Sequence, residues 1–327
     1  LYIFYRKSGG LSTPKTNFLR KGHKMRLATS TCIFPGKREG GRTSLEESIR
    51  LCYDCGFRVI DLNFCSASYP ISNSELVGDD WERNVDHLGE LAAELGITYN
   101  QSHAPYDSNL YRPEQKISDE YRAWYAESVR RSIIASARLG VRYVTTHAQT
   151  ATENDEMGFE ENMRANIHFY TPLLELAKKH GTGISIENMA EFHPQKTKHR
   201  FTATVDEQIA IIDAMGDPIS CRATWDFGHA ELVYRDQAKQ LRKLGSRLCS
   251  THVQENRGLN DDHFLPYVRG NTAWEVLMPL LKEMNYDGDF TYEVHGFYNS
   301  VPQALRPAAG RLGYKIGEYL VGLYDKA

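Results

Sequence analysis

Eight times after Met25 the chain repeats one unit: a short β-rich run, a loop holding polar residues, then an amphipathic helix that ends near Gly or a tight turn. The expected strands cover residues 26–32, 58–64, 97–103, 142–147, 183–188, 222–226, 247–253 and 289–294. Intervening stretches such as 44–55, 81–95, 121–139 and 162–180 space their apolar residues three and four apart, as helices that cover a sheet do. Strict alternation of strand and helix forces parallel strands with right-handed crossovers, and eight units can close so that no sheet edge remains. The expected architecture is therefore an α/β, single-domain (β/α)8 TIM barrel over residues 25–327, with residues 1–24 as an N-terminal extension outside the repeat. An open doubly wound sheet fits less well: no Gly-x-Gly-x-x-Gly turn follows the first strand, and Gly40 and Gly41 lie in a longer loop.

Composition narrows the partners. Of 327 residues, 41% are hydrophobic and 25% charged, ordinary for a globular chain with one sizeable core. A net charge of −3 gives no global pull toward nucleic acid, so none is expected as a partner, and a small neutral or anionic substrate fits better. No apolar run reaches the roughly 20 residues that cross a bilayer, and the first residues lack a secretory apolar core. No membrane partner and a cytoplasmic location are the expectations. The six cysteines, Cys32, Cys52, Cys55, Cys65, Cys221 and Cys249, are too sparse for a disulfide framework. Cys52-x-x-Cys55 sits inside a helical pattern and has no second pair, so helix packing explains it better than a redox or zinc motif.

Barrel enzymes place their chemistry at the carboxyl ends of the strands. Here six consecutive strands end in ionisable groups: His103, His147, Glu187, Asp226 with His229, His252 and Glu293. Any one of them alone is more simply a helix cap or a satisfied loop residue. Together, Glu187, Asp226, His252 and Glu293 on four adjacent strand ends put several carboxylates around one narrow mouth, where they could not all stay ionised without a cation. Three carboxylates and one imidazole form a hard, anionic donor set that suits Mn²⁺ first, with Mg²⁺, Co²⁺ or Zn²⁺ also able to bind. Open coordination positions would accept adjacent oxygens of a substrate such as a hydroxy-ketone.

These residues resemble those of the xylose-isomerase-like barrels, the sugar phosphate isomerase/epimerase group that shares its fold with the abasic-site endonucleases. The resemblance spans about residues 25–323. It rests on Ser102-His103-Ala104-Pro105-Tyr106, Ile186-Glu187-Asn188, Asp226-Phe227-Gly228-His229, the strand at His252, Asp261-Asp262-His263 followed by Pro266, and Tyr292-Glu293. It implies a metal-dependent sugar isomerase or epimerase that moves a proton through an enediolate. In that reading Glu187, Asp226, His252 and Glu293 are the metal ligands, and Glu187 and Glu293 also serve as base and acid. His103, His147, His229 and Arg257 would then face the carbohydrate. One departure is His193, where ketose epimerases of this group tend to carry a glutamate. The loop 188–201, with His193, Lys196, Lys198, His199 and Arg200, could recognise phosphate or carboxylate, or be a solvated charge cluster.

Two rival functions remain open. The resemblance also fits a manganese-dependent C-glycoside deglycosidase, a lyase whose barrel pairs with a small accessory subunit. Alternatively, His103, His147, Glu187, Asp226, His229, His252, Asp261, His263 and Glu293 match the three-metal ligand types of the endonucleases. A homo-oligomer is compatible with the exposed helices of any of these.

Overall fold

The computed structural model describes residues 24–34, 42–69, 74–152, 158–191, 199–234 and 236–327. Its eight strands are β1 (Leu27–Ser30), β2 (Val59–Asn63), β3 (Thr98–His103), β4 (Tyr143–Thr146), β5 (Gly183–Glu187), β6 (Cys221–Asp226), β7 (Leu248–His252) and β8 (Phe290–Tyr292). They are parallel and follow the order β7-β6-β5-β4-β3-β2-β1-β8. A parallel bridge between Val253 and Tyr292 joins the two ends of that series. There Val253 N donates to Thr291 O at 2.8 Å and Glu293 N to Val253 O at 3.0 Å, so the ring closes as a TIM barrel. Nearly all of the expected N-terminal extension falls outside the described residues.

Helices α1 (Leu45–Asp54), α2 (Trp81–Leu95), α3 (Asp119–Arg138), α4 (Gly158–His180) and α5 (Val205–Ala214) follow the first five strands. After β6 come α6 (Phe227–Val233) and α7 (Gln237–Leu244), α8 (Trp274–Glu283) follows β7, and α9 (His295–Ser300) and α10 (Arg306–Lys326) follow β8. The short helices α6 and α9 are additions to the simple repeat. Local chemistry sets the starts. Ser44 and Ser118 each accept a hydrogen bond from the backbone two or three residues into the helix, which is why α3 begins at Asp119 rather than at Tyr121. Thr204 and Glu207 form a reciprocal capping box on α5.

The strands have two unlike faces. Outward residues such as Ile60, Leu62, Val144, Ile184, Ile186 and Trp225 pack against the helices and are at most 1% exposed. The inner face is polar: Thr145 Oγ1 lies 3.0 Å from Thr224 Oγ1, Thr224 Oγ1 lies 2.8 Å from Ser185 Oγ, and Thr291 Oγ1 lies 3.2 Å from Gln101 Oε1. Because side chains alternate with period two, the residues two positions further along, His103, His147, Glu187, Asp226 and Glu293, must also point inward, one layer higher. Register supports the ring, with Asp226 opposite His252 and His103 opposite Asn63. Residue parity in the strands thus places the site.

Candidate metal centre

At the carboxyl end of the barrel, Glu187, Asp226, His252 and Glu293 each offer a ligand atom, and these atoms lie within 4.8 Å of one another. Nδ1 of His252 is 2.9 Å from Oε1 of Glu187 and 3.5 Å from Oε2 of Glu293. His103 and His147 close the other side of Glu187, their Nε2 atoms 3.3 and 3.1 Å from its Oε2. His229 Nδ1 donates to the Asn188 carbonyl at 2.8 Å and stands 3.5 Å from Glu187 Oε1. All of these side chains are buried.

Asp226 performs two tasks at once. Its Oδ1 caps α6 by accepting from His229 N at 2.7 Å, so the simple capping explanation holds for that oxygen. Its Oδ2 is buried with no hydrogen-bond partner among the described residues, as is Nε2 of His252. A buried carboxylate oxygen left unpaired beside two further carboxylates is costly, and a hard divalent cation would satisfy it. The donor set therefore fits such an ion: three carboxylates and one imidazole, converging from four adjacent strands.

Electrostatics tell the same story. Burial pushes Asp226 up, and although His229 pulls it down, the carboxyl is left at about 6. Burial would lower His252, but the carboxylates of Glu187 and Glu293 raise it to about 9. Glu187 is held well below the ordinary carboxylate range, since His252, His147 and His103 outweigh its burial. Carboxylates and imidazoles at the mouth thus offset one another's charge, although burial lowers His147, and a bound cation would take over that balance.

A second cluster adjoins the first. His229 Nε2 and His263 Nε2 lie 3.2 and 3.1 Å from Asp261 Oδ2, and the three residues together could also hold an ion. Nε2 of Gln254 donates to both Asp226 and Asp261, linking the clusters. His263 holds a φ of 51°, a strained backbone of the kind found at functional sites. Gln254 shares the inward parity of His252, a signal the sequence carried but site-type reasoning passes over because an amide is neither base nor ligand. Beside Glu293, a cavity of about 190 Å³ opens between the ends of β1 and β2, lined in part by Cys32, Asn63, Cys65 and His295. A larger groove of about 810 Å³ lies between α3 and α4 and contains none of the ring residues.

Other expected residues are placed elsewhere. Arg257 has a half-exposed side chain whose Nε donates to Asp262 at 3.2 Å, and the ion pairs and hydrogen bonds of the ring do not include it. In the basic loop, His193, Lys196 and Lys198 lie outside the described residues. His199 is held between Glu191 and Glu207, so its charge is already matched. The cysteines are free thiols, and Cys52 and Cys55 are buried against the helical layer, in keeping with a packing role. Among the described residues no helix is long and apolar enough to cross a membrane.

The model of the xylose isomerase-like TIM barrel family matches residues 37–312. An uncharacterised protein of Methanocaldococcus jannaschii is 24% identical over 268 residues, covering 77% of this chain and 88% of its own length. One of Sinorhizobium fredii is 21% identical over 293 residues, covering 80% and 86%. Among solved structures, a D-tagatose 3-epimerase-like protein superposes with a TM-score of 0.69 at 20% identity, covering 92% of this chain and 99% of that one. A D-psicose 3-epimerase in the presence of D-fructose gives 0.68 at 15%, covering 91% and 100%. A 3-keto-D-glucoside 4-epimerase from E. coli gives 0.66 at 15%, covering 90% and 100%.

Proposed function

The chain belongs to the xylose isomerase-like TIM barrel family, and from that premise we propose that it is a divalent-metal-dependent sugar or sugar phosphate isomerase or epimerase. One observation carries the reading: four buried residues from four adjacent strands, Glu187, Asp226, His252 and Glu293, bring ligand atoms within 4.8 Å of one another. These four would hold the ion, Mn²⁺ first by donor chemistry. When bound, the ion supplies electrostatic stabilisation for negative charge that develops on substrate oxygens. Glu187 and Glu293 come from different strands and both reach Nδ1 of His252, at 2.9 and 3.5 Å. With a substrate held between the two carboxylates, one glutamate removes the proton beside a carbonyl and the other returns it on the far face, which is epimerisation. His103, His147 and His229 offer ring nitrogens to sugar hydroxyls, while Arg257, paired with Asp262 at the surface, would have to turn inward to reach a substrate. The structural relatives named as sugar epimerases support this choice within the family.

A second reading, an abasic-site endonuclease, is favoured by the adjoining His229, Asp261 and His263 cluster, which gives room for more than one ion. The net charge of −3 weighs against a protein that grips a duplex. The test is to load the protein with Mn²⁺ and offer ketoses and their phosphates, oxidised C-glycosides and abasic-site DNA. Conversion of one sugar to its epimer with solvent tritium fixed at the inverted carbon is the expected result. Strand nicking without any sugar turnover would overturn it, and aglycone release would move the chemistry to a lyase.

A further inference from the structure

Asp61 lies on the inward face of β2, two residues before Asn63, which pairs with His103 at the mouth. It is fully buried, and among the described residues neither of its carboxylate oxygens has a hydrogen-bond partner. Ser30 is its register partner on β1, with its hydroxyl alongside, and the titratable groups that influence it from across the mouth are His252, His103 and Glu293. A carboxylate in this state is a cost to the fold, and such a cost is kept where it serves a site.

His252 presents the complementary vacancy. Its Nδ1 faces the carboxylates of Glu187 and Glu293, at 2.9 and 3.5 Å, while its Nε2 is buried and without a partner among the described residues. An imidazole that gives its Nδ1 lone pair to a cation carries its remaining proton on Nε2, and a buried N–H needs an acceptor. Metal-bound histidines commonly donate that proton to a carboxylate, which fixes the tautomer and the ring plane.

We propose that Asp61 is a positioning residue for the metal centre: its carboxylate accepts the Nε2 proton of His252 through one buried water, and so fixes the ring that offers Nδ1 to the cation. The inference rests on the reading of Glu187, Asp226, His252 and Glu293 as ligands. A purely structural role makes the opposite prediction for the metal-free protein. Removing an unpaired buried carboxylate relieves the fold, whereas removing a structural hydrogen-bond partner weakens it.

The experiment compares wild type, Asp61→Asn and Asp61→Glu by titrating Mn²⁺ into metal-free protein with calorimetry, and by melting each protein without metal. Asp61→Asn is expected to bind Mn²⁺ about 10- to 100-fold more weakly, with a metal-free melting temperature at or above that of wild type. Saturating Mn²⁺ restores its turnover, so the loss lies in affinity for the ion. Asp61→Glu keeps the acceptor and recovers part of the affinity. Equal Mn²⁺ affinity in wild type and Asp61→Asn overturns the role of Asp61, as does a large fall in metal-free melting temperature or a failure to fold. A wild type that takes up no divalent ion instead overturns the reading of the four ligands.

Discussion

Nε2 of Gln254 donates to Oδ1 of Asp261 at 2.6 Å. The same nitrogen reaches Oδ1 of Asp226 at 3.2 Å, so one neutral amide ties the four-residue ring to the second cluster. It can do so because Gly228, across from it, has no side chain: a Cβ there would collide with the Gln254 amide. Replacing Gly228 with Ala must push that amide away from both carboxylates. Overpacking of this kind costs about 1–3 kcal/mol, visible as a lower melting temperature, and turnover should fall by more than the lost stability explains. Unchanged kinetics in Gly228→Ala would mean that the Gln254 link has no bearing on the site.

Chelation is expected to lower the melting temperature, and added Mn²⁺ to restore it. At 100-fold excess over its dissociation constant a ligand specific for the folded state contributes about 2.7 kcal/mol. Elemental analysis of the reloaded protein counts the ions: one per chain fits the ring alone, and more than one places an ion at Asp261 as well. A melting curve indifferent to both chelator and Mn²⁺ contradicts a metal at the mouth.

Glu293→Gln and Glu187→Gln keep size and remove the carboxylate that accepts a proton. Each should reduce kcat on a turned-over sugar by about 10²- to 10⁴-fold, the usual worth of a positioned acid or base. The two should differ in solvent isotope exchange, because each glutamate serves a different face of the substrate. Full metal content together with full turnover in Glu293→Gln rules out its proton-transfer role.

His199 gives the fold a pH dependence away from the mouth. The hydrogen bonds that its ring donates to Glu191 and Glu207 raise its pKa to about 10. A histidine raised in this way stabilises the fold fully below its unfolded value of about 6.5, and the contribution disappears as pH climbs through about 10. Wild type should therefore lose stability between those limits in a chemical denaturation series. His199→Gln should be less stable than wild type at pH 6 and should converge on it at high pH. Parallel curves across the whole range would disprove the linkage.

The barrel was legible because it is written in periods. Alternation of two-residue and 3.6-residue patterns fixed eight strands, whose observed ends differ by at most two residues, while α4 starts four residues before its expected position. Ser118 moved the start of α3 by capping it, and the turn Thr31–Ile33 cut β1 short at Ser30. The candidate ring was legible for a related reason: parity and position at strand ends are sequence properties, so Glu187, Asp226, His252 and Glu293 stand out before any fold is known. Arg257 shows the limit of that reasoning. It follows β7 closely in sequence, yet its side chain turns to Asp262 at the surface, because a loop residue has no parity to direct it.

What the sequence by itself determined is the class of fold and the chemical character of its mouth, both consequences of short-range repetition. Tertiary structure alone decided the pairings across the barrel: Gln254 joining Asp226 to Asp261, Gly228 making room for it, and Asp61 buried in the barrel interior without a hydrogen-bond partner among the described residues. Asp61 and His252 are separated by most of the chain, and nothing in the sequence relates the first, unremarked in its strand, to the second. Only closure of the sheet makes their strands face one another across the barrel interior, into which both side chains point.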